Sequence, residues 1–196
     1  MSEQLSGAQS LDIIGKMINK AKNQFSEDGS MYLLWGWVIL FCSIAHFILD
    51  IVVGYDQPWQ IWLATWVVAI YMIFALRMKD RTRKVKTYTD ELLKYVWLVF
   101  VIMMVLNFFL LQKFVPSFYL YNYMFILLCY GMPTFLSGVI LKFKPLIIGG
   151  VICWILSVIS GFINFHYHPL LVALAVIIAW IIPGYTLRAR FKKQFA

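Results

Sequence analysis

Met31-Tyr32-Leu33-Leu34-Trp35-Gly36-Trp37-Val38-Ile39-Leu40-Phe41-Cys42-Ser43-Ile44-Ala45-His46-Phe47-Ile48-Leu49 is a run of nineteen residues without Asp, Glu, Lys or Arg. A helix of that length reaches ~28 Å, close to the ~30 Å of hydrocarbon in a bilayer. The run lacks the strict alternation of a barrel strand, and hydrocarbon leaves backbone N–H and C=O groups no partner outside a helix or a closed barrel. Five further runs of the same kind occupy 58–76, 95–112, 118–141, 145–165 and 169–187. Together with 31–49 they predict an all-α integral membrane protein with six transmembrane helices across 31–187. The composition agrees: 62% of the 196 residues are hydrophobic and 13% are charged, against roughly 45–50% and about 25% in soluble domains.

The basic residues supply an orientation. Lys16, Lys20 and Lys22 precede the first run, Arg77 to Lys94 separate the second from the third, Lys142 and Lys144 separate the fourth from the fifth, and Arg188, Arg190, Lys192 and Lys193 follow the sixth. Sixteen of the seventeen Lys and Arg residues therefore fall on alternate connections, and only Lys113 falls on the other side. Lys and Arg in short loops stay in the cytoplasm, so both termini are expected there, with the chain in a cell (cytoplasmic or inner) membrane. The formal charge of +8 then has a lipid explanation, because basic residues beside helix ends attract anionic headgroups at about 1 kcal/mol each. No nucleic-acid module accompanies the Arg77–Lys86 cluster, and nucleic acid is not an expected partner.

Residues 1–30 form the predicted cytoplasmic N-terminus. Over 10–25 the apolar Leu11, Ile14, Ile18, Ala21 and Phe25 recur at helical spacing, with Lys16, Lys20 and Lys22 on the remaining surface. Such a helix lies flat in the headgroup layer or docks on a partner protein. No apolar core followed by a small-residue cleavage site precedes Met31, so the first run reads as a retained anchor. Residues 188–196 form a basic tail.

Within the runs, small and kinking residues set the packing. Gly149, Cys153, Ser157 and Gly161 recur at four-residue intervals on one face of the fifth helix, where they let another helix backbone approach, in the bundle or in a homo-oligomer. Pro133 and Pro183 lie in the fourth and sixth runs, each beside a glycine, and are expected to kink them. The second, fourth and sixth runs each end in basic residues, which suggests three successive helical hairpins. Trp35, Trp37, Trp59, Trp62 and Trp97, with Tyr119, Tyr121 and Tyr123, fall near run ends and read as interfacial belts.

Polar groups in hydrocarbon are expensive and mark candidate sites. His46 and Asp50 share one helical face, and His166 and His168 lie in the last connection on the same predicted outer side, with Asn107, Asn122 and Asn164 nearby. His46, Asp50, His166 and His168 are therefore candidates for an outward-facing metal or proton site, since imidazole with carboxylate suits zinc-like ions. The competing reading makes them interfacial residues bonded to water and headgroups, with no shared site. Cys42, Cys129 and Cys153 lie in different runs and lack metal spacing. The chain has no P-loop, H-E-x-x-H, G-x-S-x-G or dinucleotide fingerprint, so no cofactor is indicated.

The stretches Tyr32-Leu33-Leu34-Trp35-Gly36-Trp37 and Lys86-Thr87-Tyr88-Thr89-Asp90-Glu91 resemble those of small six-span bacterial inner-membrane proteins whose activity is uncharacterised. That resemblance implies a bacterial cytoplasmic membrane and transfers no functional residue. The expected function is that of a non-catalytic membrane component (a sensor, regulator or assembly partner) with the bilayer and its anionic headgroups as its first partners. The alternative is a small-solute or ion permease or channel with an outward-facing polar pocket.

Overall fold

Residues 28–82, 88–114, 117 and 120–195 are described by the computed structural model of the chain. The amphipathic helix expected at 10–25, the middle of the basic connection at 83–87, and Phe118 and Tyr119 at the start of the fourth run lie outside them. The described residues are helical and contain no strand.

Helix α1 covers Ser30–Phe47 and continues through a π turn, Ile48–Val53. Gly54 ends it in the left-handed region at φ 67°, and the Tyr55 N–H closes the wide turn on the Leu49 carbonyl at 2.9 Å. A 3-10 turn at Pro58–Trp62 leads into α2, Leu63–Thr82. Helix α3 spans Tyr88–Leu106 and opens into a second π turn at Asn107–Leu111. Asp90 and Glu91 stand in its first turn, where the positive end of the helix dipole favours carboxylates. Helix α4 covers Asn122–Ile140 and α5 covers Lys144–Ser160. After a 3-10 turn at Phe165–Tyr167, α6 runs through His168–Val176, a π turn at Ile177–Ile181, and Ile182–Phe195.

Among the described residues, four helices are long and apolar enough to cross a membrane, in the stretches Ser30–Val53, Thr89–Phe109, Asn122–Ile140 and Phe165–Lys193. The other two fall short for different reasons. Helix α2 carries Arg77, Lys79, Asp80 and Arg81 in its last turns. Helix α5 stops at Ser160, five residues before the apolar run does, because Gly161–Asn164 turns back toward α6. Its 17 residues reach about 26 Å, at the lower limit for a spanning helix.

The helices alternate in direction, so their ends sort into two groups. Gly29, Gly184 and Arg188 meet at one end, where Arg190 also sits 4.8 Å over the Phe143 ring. His46, Trp62, Tyr123 and His168 meet at the other. Most of the buried residues belong to α1, α4, α5 and α6, with Leu127, Phe143, Leu146, Val172, Val176 and Leu187 almost wholly enclosed. The tightest pair is α4 with α5, followed by α1 with α6, so the closest packing joins different hairpins, the second to the third and the first to the third, instead of lying within each one. Helix α2 touches little beyond α1, and Trp66, Val67, Ile70, Tyr71 and Phe74 on it remain exposed. Broad exposed apolar faces of this kind suit a hydrocarbon solvent.

Small residues set the α4–α5–α6 spacing. A Cβ at Gly149 would stand 2.6 Å from the Ala179 Cα, and one at Gly150 would stand 2.7 Å from the Phe135 backbone nitrogen. Cys153 and Ser157 are buried on the same helix, and the Ser157 hydroxyl donates to the Met124 carbonyl of α4 at 2.8 Å. Gly161 differs: it is exposed at the helix end and faces no other helix backbone. Pro133 is buried inside α4, and Pro183 is buried in α6 directly after the π turn at Ile177–Ile181. A proline leaves the carbonyl four residues earlier without its helical donor, and a locally widened turn is one way a helix accommodates that.

An aromatic cluster fills the half of the bundle nearer the basic end. Trp180 lies against Tyr130 with the rings tilted by 37° and centroids 4.6 Å apart, and Trp97, Tyr32 and Phe100 complete the group. The Trp180 indole donates to Thr134 Oγ at 2.9 Å, and Thr134 donates to the Tyr130 carbonyl at 2.8 Å. Trp97, half-buried, packs against this cluster from its edge.

Candidate functional site

The polar residues gather at the end of the bundle opposite Lys142 and Lys144. In the last turn of α1, His46 is nearly buried, and its Nδ1 lies 3.0 Å from the Trp62 Nε1. An indole nitrogen only donates, so this contact requires a bare lone pair on Nδ1 and places the ring proton on Nε2. The Tyr123 oxygen completes a triangle, 3.1 Å from the Trp62 Nε1 and 3.3 Å from the His46 Nδ1. Three elements converge here: the wall of α1, the 3-10 turn before α2, and the first turn of α4.

His168 flanks the same tyrosine edge-on, with ring centroids 6.3 Å apart. Its Nε2 faces two carbonyl oxygens, Ser160 at 2.8 Å and Ile163 at 3.1 Å. Carbonyls only accept, so Nε2 carries the proton. The ring thereby satisfies carbonyls at the C-terminal end of α5, which helical geometry leaves without donors. The His168 Nδ1 is buried and has no partner.

Asp50 and His166 form a separate pair. The carboxylate Oδ2 stands 2.6 Å from the imidazole Nδ1, with the aspartate side chain 19% and the histidine side chain 42% exposed. The π turn at Ile48–Val53 carries Asp50, and Asn164 steadies His166 by accepting its backbone N–H at 3.2 Å. At the α3–α4 junction, the buried Asn107 meets Asn122 through an amide contact of 3.3 Å.

The four sequence candidates therefore lie at one end of the molecule but in three arrangements. Asp50 bonds His166, while His46 bonds Trp62 and Tyr123, and His168 bonds backbone carbonyls. Among the described residues, no three of His, Cys, Asp and Glu converge as a metal-binding group. Trp62 and Tyr123 are the members that sequence reading assigns to belts. Their role depends on the rotational register between helices, which neither hydropathy nor spacing encodes.

A cavity of about 280 Å³ opens beside this cluster, lined by Tyr121 and Met124 of the α4 start, Ser160, Asn164 and Phe165 of the α5–α6 connection, and His168. One turn deeper, the Ser157–Met124 hydrogen bond joins α4 to α5. The arrangement provides a hydrogen-bonded triangle that ties three elements together, next to a small recess with mixed polar and apolar walls. No family model, curated protein or solved structure matches the chain.

Proposed function

We propose that the chain is a six-span, non-catalytic component of a cytoplasmic membrane, with both termini on the cytoplasmic side, acting as a sensor, regulator or assembly partner. The observation that carries this reading is the filled interior: Leu127, Phe143, Leu146, Val172 and Val176, spread along the core, are each 0–1% exposed. A path for a solute would need continuous polar surface along the bundle, and apart from the small buried hydroxyls of Ser43, Thr134, Ser137 and Ser157 the enclosed side chains of its length are mostly apolar. The two spans added to the four of sufficient length are α2 and α5. Support for them comes from the alternation of basic connections and from the antiparallel course of the helices. The basic end supplies contacts for anionic headgroups or an acidic protein surface.

Gentle extraction into nanodiscs, with identification of the proteins that travel with the chain, tests the partner role. A stoichiometric partner lost on deletion of residues 1–25 is the expected result, and a chain that travels alone in every preparation sinks it. Cysteines placed at Gln57, Asn164 and Gln194 test the topology. The first two should react with an impermeant reagent outside the cell, and the third only after the membrane is opened.

The permease reading keeps one supporting observation, the 280 Å³ recess beside His168. In that reading His46, Asp50, His166 and His168 would take a metal ion or a proton from the outer medium. Alanine at His46 or Asp50 that leaves solute uptake and its metal or proton dependence unchanged removes it.

A further inference from the structure

A second cavity of about 280 Å³ lies between α3 and α4, away from the polar end. Its floor is Cys129, Pro133 and Phe100, and its rims are Val99, Met132 and Leu136. The floor is enclosed, with Cys129 2% exposed, while Val99, Met132 and Leu136 are 56%, 41% and 46% exposed. This is an open groove, not an internal void. Its long axis follows both helices from Tyr95 to Met103 on α3 and from Leu136 to Cys129 on α4. Seven to eight residues of helix give about 11–12 Å, most of the ~15 Å depth of hydrocarbon in one leaflet.

The groove has a polar mouth at one end only. Tyr95 stands there, half exposed, and Lys94 precedes it on α3. At the same end α4 closes in a turn that exposes Lys142 and Lys144, six and eight residues beyond Leu136. Asp90 and Glu91 lie one turn below Lys94, in the first turn of α3. The far end, at Met103 and Cys129, is apolar and lies inside the stretches of α3 and α4 that are long enough to cross a membrane.

We propose that this groove is a binding site for one acyl chain of an anionic phospholipid, whose phosphate lies at the level of Lys94 and Lys142. The inference rests on α3 and α4 lying in a bilayer and needs neither the six-span count nor a protein partner. The apolar walls select hydrocarbon, the groove length matches one leaflet, and the lysines at the mouth favour a negative headgroup over a zwitterionic one. Two lysines beside a headgroup favour the anionic lipid by roughly fivefold each.

The test uses the full chain in detergent, stripped of lipid and titrated with phosphatidylglycerol or phosphatidylcholine of equal chain length, and read by native mass spectrometry. One phosphatidylglycerol should be retained at concentrations where phosphatidylcholine is not. The K94Q/K142Q variant should bind both lipids alike, and Val99→Trp, which fills the groove, should lose the retained lipid. Phosphatidylglycerol carrying a photoreactive group near its chain terminus provides a readout in the unaltered chain, with crosslinks expected in 99–103 and 129–136. Equal retention of the two lipids by the unaltered chain overturns the proposal, as do crosslinks spread over all helices. A dimer that Val99→Trp dissociates also overturns it, because the groove would then belong to a second copy.

Discussion

Asp50 and His166, 116 residues apart in the chain, meet through a carboxylate–imidazole contact of 2.6 Å. The contact fastens the π turn at the end of α1 to the short connection between α5 and α6, on the same end of the bundle as the His46–Trp62–Tyr123 triangle. A π turn adds one residue to a helical turn and rotates the residues beyond it. Here Asp50 lies within that widened turn and reaches His166, while His46, just before it, faces Trp62 and Tyr123.

Removing the carboxylate should loosen that end without unfolding the core. With the histidine 42% exposed, solvent screens the pair, and Asp50→Asn is expected to lower stability by about 0.5–1 kcal/mol. Thermal unfolding in detergent, followed by tryptophan fluorescence, measures this. The Asp50→Asn, His166→Gln double variant should lose clearly less than the sum of the two single losses, because both remove the same contact. Strict additivity would show that the two side chains act independently.

Trp62→Phe retains a ring at the centre of the triangle but removes the only N–H that reaches His46 Nδ1. His46 Nδ1 then has only the Tyr123 hydroxyl as a donor, the Tyr123 oxygen loses the indole N–H it accepted, and a loss of about 1–2 kcal/mol is expected. Inside hydrocarbon the figure falls toward ~0.6 kcal/mol, as for interhelical bonds in other membrane proteins. Tyr123→Phe in the same background should add little. A Trp62→Phe variant as stable as the parent would mean that the indole acts by packing alone.

The glycine spacing of α5 can be divided experimentally. Gly149→Ala places a methyl 2.6 Å from the Ala179 Cα, so one helix backbone has to move, and a loss of about 1–3 kcal/mol is expected. Gly161→Ala adds its methyl at an exposed helix end, where the nearest atom is the Val158 carbonyl oxygen at 3.3 Å, and should change stability by less than about 0.5 kcal/mol. Equal effects at the two positions would contradict the packing described for α5.

These contrasts show where the sequence is legible. The all-helical character follows from the apolar runs, and among the described residues four of them form helices long enough to cross a membrane, because apolar length is a one-dimensional property set by the solvent. The direction of Gly149, Cys153 and Ser157 toward neighbouring helices also follows, because a four-residue interval fixes a helical face. Gly161 shares the interval but lies beyond Ser160, where the helix has already ended, and no periodicity announces that stop. The sites behave alike. His46, Asp50, His166 and His168 are recognisable as polar residues at one end of the bundle, since height follows from position along a helix. Their partners are not recognisable, because Trp62 and Tyr123 reach His46 only through the rotation of one helix against another. The three π turns further offset that rotation from the ideal period.

Lys142 provides a test that separates backbone strain from charge. It occupies the left-handed region at φ 50°, between α4 and α5, and its N–H bonds the Val139 carbonyl at 3.1 Å while the Phe143 N–H bonds Gly138 at 2.8 Å. That pattern is a helix stop whose left-handed position glycine normally fills. A side chain there costs roughly 1–2 kcal/mol, and glycine's greater freedom in the unfolded chain recovers only part of it. Lys142→Gly should therefore raise stability by about 0.5–1 kcal/mol, seen as a higher unfolding midpoint in detergent. Lys142→Ala keeps a Cβ and removes the charge, so it should give no such rise. A gain of equal size in both variants would trace the effect to repulsion from the exposed Lys144 or from Arg190 over Phe143, and the strained backbone would then play no part.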